Sequence, residues 1–131
     1  MLGLLLAPLG SRALAQTAAA SAGTVHMLMR QPLSSQPGTD VIMLTVDYPP
    51  SGTTPPHEHP GYTYAYVLQG SVVSQLDHQP AQTYITGQMW SELPHQAHMV
   101  SRNASKTEPA KLLVYMIIPH GDALTKFLPA Q

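Results

Sequence analysis

From Thr24 onward, apolar and β-branched residues occur in short runs, and clusters of turn-forming residues separate these runs. No window of about 12 residues in this region has the apolar period of a helix. The pattern predicts an all-β protein, either a small antiparallel β-barrel or a jelly-roll sandwich, with about seven or eight short strands. The predicted strands are TVHMLM, VIMLTVDY, YTYAYVLQ, SVVSQL, TYI, QMWSEL, AHMVS and KLLVYMII.

The connections between these runs predict an antiparallel meander. Gly70 joins YTYAYVLQ directly to SVVSQL, and DHQP ends the second of these strands. His78 lies in that turn, so we expect its side chain to face solvent. His26 and His120 stand alone near strand ends, and neither is predicted to bind a ligand.

Composition excludes some classes of function. The net charge is −1 with 10% charged residues, so the chain lacks the basic surface of a nucleic-acid-binding protein. Cysteine is absent, which excludes disulfides and thiolate metal sites. Seven histidines outnumber the six Lys and Arg residues together, and this excess indicates metal chemistry.

The N-terminal segment has the features of an export signal. LGLLLAPLG is apolar but too short to cross a bilayer. Ala13-Leu14-Ala15 fits a signal-peptidase site, with Gln16 as the first mature residue, although Met1 leaves no room for a basic region. The alternative is an apolar tail or a short helix packed on the domain. We expect a periplasmic or secreted protein without stable membrane insertion once the leader is removed.

The chain of 131 residues is expected to hold one domain. We divide it into a leader, an N-terminal arm with the first strand, a β-barrel and a C-terminal tail. These segments are residues 1–15, 16–39, 40–120 and 121–131, respectively.

Three histidines are candidates for a metal site. His57 and His59 are two residues apart, so in a strand both side chains project to one face. Imidazole suits Zn, Cu, Fe and Ni, but a third ligand is needed from elsewhere. His98, near the start of the strand AHMVS, can supply it if that strand lies beside the first. The alternative is three hydrogen-bonded polar residues in a metal-free pocket.

Two segments resemble the two motifs of the cupin superfamily. PPHEHPGYTYAYVLQG is similar to the first motif, and GQMWSELPHQAHMVSRN is similar to the second. The resemblance covers about residues 40–118 and implies a small jelly-roll barrel that holds Fe, Mn, Ni, Cu or Zn. The matching residues are His57, His59 and Gly70 in the first motif, and Gly87, Pro94, His98 and Asn103 in the second.

The chain departs from the cupin pattern at one position. Thr63 stands where cupins commonly have a glutamate ligand, and Tyr64 stands at the longer spacing that some members use. Neither is an ordinary ligand, so the resemblance implies three neutral histidines. Such a centre keeps the +2 charge of the metal, which favours an anionic or chelating substrate.

Glu92 is the nearest acidic residue that could compensate for this departure. It is a candidate for a distant ligand, an acceptor for an imidazole N–H, or a general base, and we predict a catalytic role. The alternative is an exposed carboxylate at a strand end.

The predicted substrate pocket contains Thr63, Tyr64 and His95. His95 lies in the turn LPHQAH, where most cupins would have glycine, and we expect it at the barrel mouth. Asn103 is expected to tie the turn RNAS.

The strand after His59 alternates between two faces. Its odd-numbered positions share the histidine face and are predicted to line the pocket floor. The aromatic face is expected to pack against another sheet or a second copy of the chain, in a possible homodimer. The residues of that aromatic face are Tyr62, Tyr64, Tyr66 and Leu68.

These features together predict an exported, metal-dependent enzyme. We expect an oxygenase, or a related lyase or isomerase, that acts on a small oxygen-rich molecule. The alternative is a non-catalytic module that binds a small molecule or a metal. The cupin fold supports many unrelated reactions, so the resemblance does not select the substrate.

Overall fold

The computed structural model describes residues 21–129, which form eleven β-strands and no helix. The strands are β1 (Thr24–Pro32), β2 (Thr39–Tyr48), β3 (Thr53–Thr54), β4 (His57–Glu58), β5 (Tyr62–Gln69), β6 (Ser71–Leu76), β7 (Gln82–Ile85), β8 (Met89–Glu92), β9 (His98–Asn103), β10 (Ala110–Pro119) and β11 (Lys126–Phe127). Within this range there is accordingly no helix that is long and apolar enough to cross a membrane. The proposed leader, residues 1–15, lies outside the described residues.

The strands form two sheets in which every pairing is antiparallel. The first sheet has the order β1-β2-β10-β5-β8, and the second has the order β11-β4-β9-β6-β7, with β3 paired to β9. The two sheets form a jelly-roll sandwich rather than a closed barrel. The all-β prediction is therefore confirmed, and each predicted strand has an observed counterpart.

The core lies between the sheets because strand residues alternate between the two faces. Every second side chain is buried throughout β10 and in β2 from Asp40 to Leu44. Complete burial of one aliphatic side chain stabilises the fold by about 1.5–3 kcal/mol. The buried cluster is Ile42, Leu44, Tyr48, Ala65, Val67, Val72, Trp90, Ala110, Leu112, Val114, Met116 and Ile118.

The connection from β5 to β6 requires glycine. Gly70 has a φ of +71°, in the left-handed region that side chains disfavour. A Cβ at this residue would also lie 2.6 Å from the carbonyl oxygen of Pro109. The turn carries the chain from the first sheet to the second, so β5 and β6 do not pair and the meander predicted at this connection is wrong.

The outer face of β5 is not covered by the rest of the described chain. Tyr62, Tyr66 and Leu68 are 48%, 41% and 41% exposed. Tyr64 lies on the same face, and its ring centroid is 6.3 Å from that of Tyr115. The expected packing against another sheet is therefore not observed, and the homodimer stays a prediction.

Asn103 ties the turn that follows β9, because its side chain accepts from the Ser105 N–H and donates to the carbonyl of Glu108.

The segment from residue 121 to residue 129, expected from the sequence to be a tail, returns to the second sheet. There β11 pairs with β4, and Leu128 N–H donates to the carbonyl of Pro56.

Candidate metal centre

The second sheet brings the three candidate histidines together. His57 in β4 is the register partner of His98, the first residue of β9. His59 is the residue immediately after β4. Prolines flank this short segment on both sides. Gly61 then allows the chain to pass close to β10, because a Cβ there would collide with the carbonyl of Ile117. The two motifs, about forty positions apart in the sequence, therefore meet at one point in space.

The imidazole rings of these residues form a compact group. One nitrogen of each ring lies within 4.8 Å of one nitrogen of each of the others. The ring centroid of His57 is 4.9 Å from that of His59 and 4.9 Å from that of His98. His57 and His98 are buried, and the side chain of His59 is only 12% exposed.

A hydrogen bond to a second group orients each ring. His57 Nδ1 lies 2.8 Å from the carbonyl of Pro55, and His59 Nδ1 lies 2.7 Å from that of Leu124. A carbonyl only accepts, so both Nδ1 atoms carry the proton and both Nε2 atoms keep a lone pair. His98 Nε2 lies 2.8 Å from the Ser74 hydroxyl, which leaves Nδ1 for the centre of the group. Such contacts typically fix the orientation and tautomer of metal-binding histidines.

Glu92 lies against this group and is 3% exposed. Its Oε1 is 3.2 Å from His98 Nδ1, and its Oε2 is 3.8 Å from His59 Nε2. The indole N–H of Trp90 donates to Oε1 at 2.9 Å. The alternative of an exposed carboxylate at a strand end is therefore wrong for Glu92.

Burial and neighbouring groups set the charges at the site. Burial lowers the pKa of His57 to about 4, against the opposing effect of its hydrogen bond to Pro55. This histidine is therefore neutral near pH 7, which is the form that binds metal. Burial raises the pKa of Glu92, but the contact with His98, the proximity of His59 and the Trp90 N–H outweigh it, so the pKa is lowered. The carboxyl group is accordingly ionised.

The donor set fits a divalent transition metal. Among the described residues, two buried side-chain polar atoms have no hydrogen-bond partner, and these are Glu92 Oε2 and His98 Nδ1. Both atoms belong to the site. Buried polar groups are rarely left unpaired, and a cation between them would satisfy both. Three imidazoles with a nearby carboxylate are ligands that Zn, Cu, Fe and Ni accept.

A cavity of about 200 Å³ is lined in part by His57 and His59, whereas His98 does not line it. Its walls are mostly apolar and include residues from every strand of the first sheet, such as Leu44 from β2 and Leu112 from β10. One polar cluster interrupts these walls. The Tyr48 hydroxyl lies 2.6 Å from the Thr54 hydroxyl and 2.9 Å from the Ser101 hydroxyl. This cluster is not predictable from the sequence, because its three members lie in separate strands.

The residues predicted for the substrate pocket lie in different places. Thr63 is buried and lines the cavity, together with Ala65 on the same face of β5. Tyr64 does not line it, because strand alternation turns this residue to the outer face; its inclusion in the pocket is corrected.

His95 is an exposed loop residue whose ring contacts Glu58, and its expected place at the barrel mouth stays a prediction. Its side chain is 66% exposed, and Nδ1 lies 3.3 Å from Glu58 Oε1. It does not line the cavity. Its φ of +59° lies in the left-handed region, which agrees with the expected glycine at this position. Its backbone N–H donates to the carbonyl of His59 at 2.8 Å.

Sequence comparison agrees with this arrangement. The family model described as "Cupin domain" matches residues 44–116, which is more than half of the chain. The chain is a cupin. The matched region contains all three histidines and Glu92. A search of curated proteins found no match to this cupin.

Solved structures with the same fold include enzymes and a protein of undefined role. A DMSP lyase from Ruegeria pomeroyi superposes with a TM-score of 0.64 and 16% identity, covering 81% of this cupin and 51% of the lyase. A recombinant oxalate oxidase in complex with glycolate has a TM-score of 0.63 and 22% identity, covering 86% and 58%, respectively. An uncharacterised double-stranded β-helix protein from Klebsiella pneumoniae has a TM-score of 0.61 and 16% identity, covering 84% and 90%.

Because all three identities are low, these similarities show a shared fold and not a shared activity. The cupin spans only about half the length of the DMSP lyase and somewhat more of the oxalate oxidase. Activity therefore has to be argued from the site of this chain.

Proposed function

We propose that this cupin is a metal-dependent enzyme acting on a small oxygen-rich molecule, as an oxygenase or a related lyase or isomerase. The observation that carries the proposal is the convergence of three histidines beside a largely apolar cavity. His57, His59 and His98 would hold the cation. A bound divalent transition metal would supply a Lewis acid that polarises substrate oxygens.

The residues around the cavity then select and enclose the substrate. The apolar walls exclude water, and the Tyr48 hydroxyl cluster offers hydrogen bonds to an oxygen of the substrate. Glu92 is the only carboxylate among the described residues that line the cavity, so it is the group placed to accept a proton there. A volume of about 200 Å³ is below the ~300–1,000 Å³ of pockets for drug-sized ligands, which favours a small substrate.

Two of the structural neighbours are enzymes whose names describe different reactions, an oxalate oxidase and a DMSP lyase. They support an enzymatic role on small molecules for this chain. They do not select one reaction, because one fold supports many chemistries.

The proposal is tested on the full chain purified without chelators or a polyhistidine tag. We expect elemental analysis to find about one transition-metal ion per chain. After reconstitution with Fe, Mn, Ni, Cu or Zn separately, oxygen uptake and product formation are measured with diketones, catechols and flavonols. His98→Ala should abolish metal binding and turnover, whereas His78→Ala, in an exposed turn, should change neither. A wild-type chain that binds none of these metals would overturn the proposal.

A second candidate is a non-catalytic module that binds a small molecule or a metal. The largely apolar cavity favours this role, because affinity for a small ligand requires only burial and a few polar contacts. His98→Ala separates the two candidates. A binder should keep most of its ligand-induced rise in melting temperature, whereas an enzyme should lose turnover.

We further propose that the protein is exported to the periplasm or secreted, on the basis of the apolar segment and the Ala13-Leu14-Ala15 site. Cell fractionation with N-terminal sequencing tests this. An exported chain beginning at Gln16 is expected, and an uncleaved chain confined to the cytoplasm would contradict it.

A further inference from the structure

We infer that Glu92 binds the cation directly, as a fourth protein ligand beside His57, His59 and His98. This inference rests on the proposed function, since it assigns a role at the same metal centre. It goes beyond a proton-transfer role, because it requires a bond from a carboxylate oxygen to the ion.

The unpaired atoms at the site carry the inference. Oε1 of Glu92 already receives the Trp90 N–H, whereas Oε2 is buried and receives nothing. His98 Nδ1, 3.2 Å from Oε1, is likewise buried without a hydrogen-bond partner. A buried polar atom without a partner costs about 1–3 kcal/mol, and more for a charged group. A cation bound between these residues would satisfy both atoms at once.

The surroundings offer Glu92 no other cationic partner. Its ion-pair contacts within 4.0 Å are with His59 and His98, and among the described residues no Lys or Arg side chain reaches it. A carboxylate buried without a permanent positive charge is destabilising on its own. A cation held by the histidines would give Oε2 of Glu92 the partner that it lacks.

The strand register explains how Glu92 reaches the histidines. Trp90 and Glu92 point into the sandwich from β8, and Ser91 between them points out. Glu92 lies directly opposite Thr63 in the antiparallel β5–β8 pair, and both residues line the cavity. Thr63 has no carboxylate to offer. The acidic group of the site thus comes from β8, at the position that pairs with Thr63 in β5.

The test uses the full chain and Zn²⁺ as the probe. Affinity is measured by competition with a chromophoric chelator for the wild type, Glu92→Gln and Glu58→Gln. The Glu58 variant is the matched control, because it makes the same change of charge between His57 and His59. The Glu58 carboxylate faces His95 and Lys126, away from the cavity. The visible spectrum of the Co²⁺-substituted protein and the melting temperature without metal are measured for all three.

We expect Glu92→Gln to weaken Zn²⁺ binding by more than about 100-fold, beyond the 10–100-fold typical of residues that only support a ligand. Glu58→Gln should change it by less than about 5-fold. The Co²⁺ bands should shift and change intensity only in Glu92→Gln, because ligand number sets them. Without metal, Glu92→Gln should melt no lower than the wild type, since it removes an unmatched buried charge.

Three results would overturn the inference. These are a loss of affinity below about 100-fold, an unchanged Co²⁺ spectrum, and a melting temperature that falls without metal as for a purely structural glutamate. Failure of this inference is distinguishable from failure of the proposed function. If Glu92→Gln binds Zn²⁺ as tightly as the wild type, the inference fails but the metal site remains.

Discussion

The backbone carbonyl of Leu124 accepts a hydrogen bond from Nδ1 of His59 at 2.7 Å. This contact joins the segment after β10 to a candidate metal ligand, across 65 residues of sequence. The same segment supplies cavity-lining residues, so it contributes both to the orientation of a ligand and to the enclosure of the site.

Deletion of residues 124–131 should therefore weaken Zn²⁺ binding by at least about 10-fold, as expected when a ligand loses its orienting partner. The fold should persist, because β11 contributes only a two-residue pairing. Deletion of residues 129–131 alone leaves the carbonyl of Leu124 and is the control. Equal affinities for the two truncated chains in a chelator competition would contradict this role.

Ser74→Ala should weaken Zn²⁺ binding by about 10-fold, because the His98 ring loses the hydroxyl that orients it. It should also destabilise the protein by about 1 kcal/mol, the typical contribution of one hydrogen bond. Chelator competition and urea unfolding measure the two effects. Ser91→Ala removes an exposed hydroxyl from β8 and should affect neither quantity. A Ser74→Ala chain with unchanged affinity would show that the ring needs no such partner.

Asp40 is expected to make stability depend on acid pH. It is buried between His120 Nδ1 at 2.7 Å and Arg30 Nε at 2.8 Å. The hydrogen bond from His120 lowers the pKa of Asp40 from its usual 3.8, burial opposes this effect, and Arg30 adds to it. Because the folded-state pKa is lowered, the stabilisation is complete above the usual value and is lost as pH falls through the folded-state pKa.

Asp40→Asn should accordingly lower the melting temperature by several degrees near pH 7, and the gap to wild type should close as pH falls below 3.8 and through the folded-state pKa. Asp47→Asn, which affects a more exposed carboxylate, is the control and should give a much smaller gap. Thermal unfolding across this range is the measurement. A gap that does not narrow in acid would contradict a role for the charge of Asp40.

His95→Gly should leave the protein equally stable or stabilise it by about 1 kcal/mol, because the left-handed backbone at this residue costs other side chains more than glycine. Zn²⁺ affinity should not change, since the ring does not line the cavity. Ala97→Gly, at a residue without a positive φ, is the control and should lower the melting temperature. A lower melting temperature for His95→Gly would mean that the contact with Glu58 outweighs the backbone strain.

Much of the fold was predictable because it depends on local patterns. Strand β5 alternates over most of its length and a single glycine separates it from β6, so the ends of both strands match the predicted ones. The spacing of His57 and His59 likewise predicts a shared face, and their motif predicts a third histidine about forty residues later.

The remaining features depend on groups that carry no signal in a sequence. The carbonyls of Pro55 and Leu124 orient two histidines, but every residue has a carbonyl. Strand β11 is two residues long, too short for any periodic pattern. The inward direction of Glu92 follows from the pairing of β8 with β5. Tyr64 was placed in the pocket from the spacing of the motif, although the alternation of β5 turns its side chain outward.

The pairing of Thr63 with Glu92 makes the length of the chain between Gly87 and Glu92 a determinant of the site. A one-residue insertion there would move Glu92 to the solvent side of β8 and bring a different side chain to face the histidines. A two-residue insertion would restore its direction but displace it along the strand by about 7 Å. The position of the acidic group in the cavity therefore depends on the number of residues in this segment as well as on their identities.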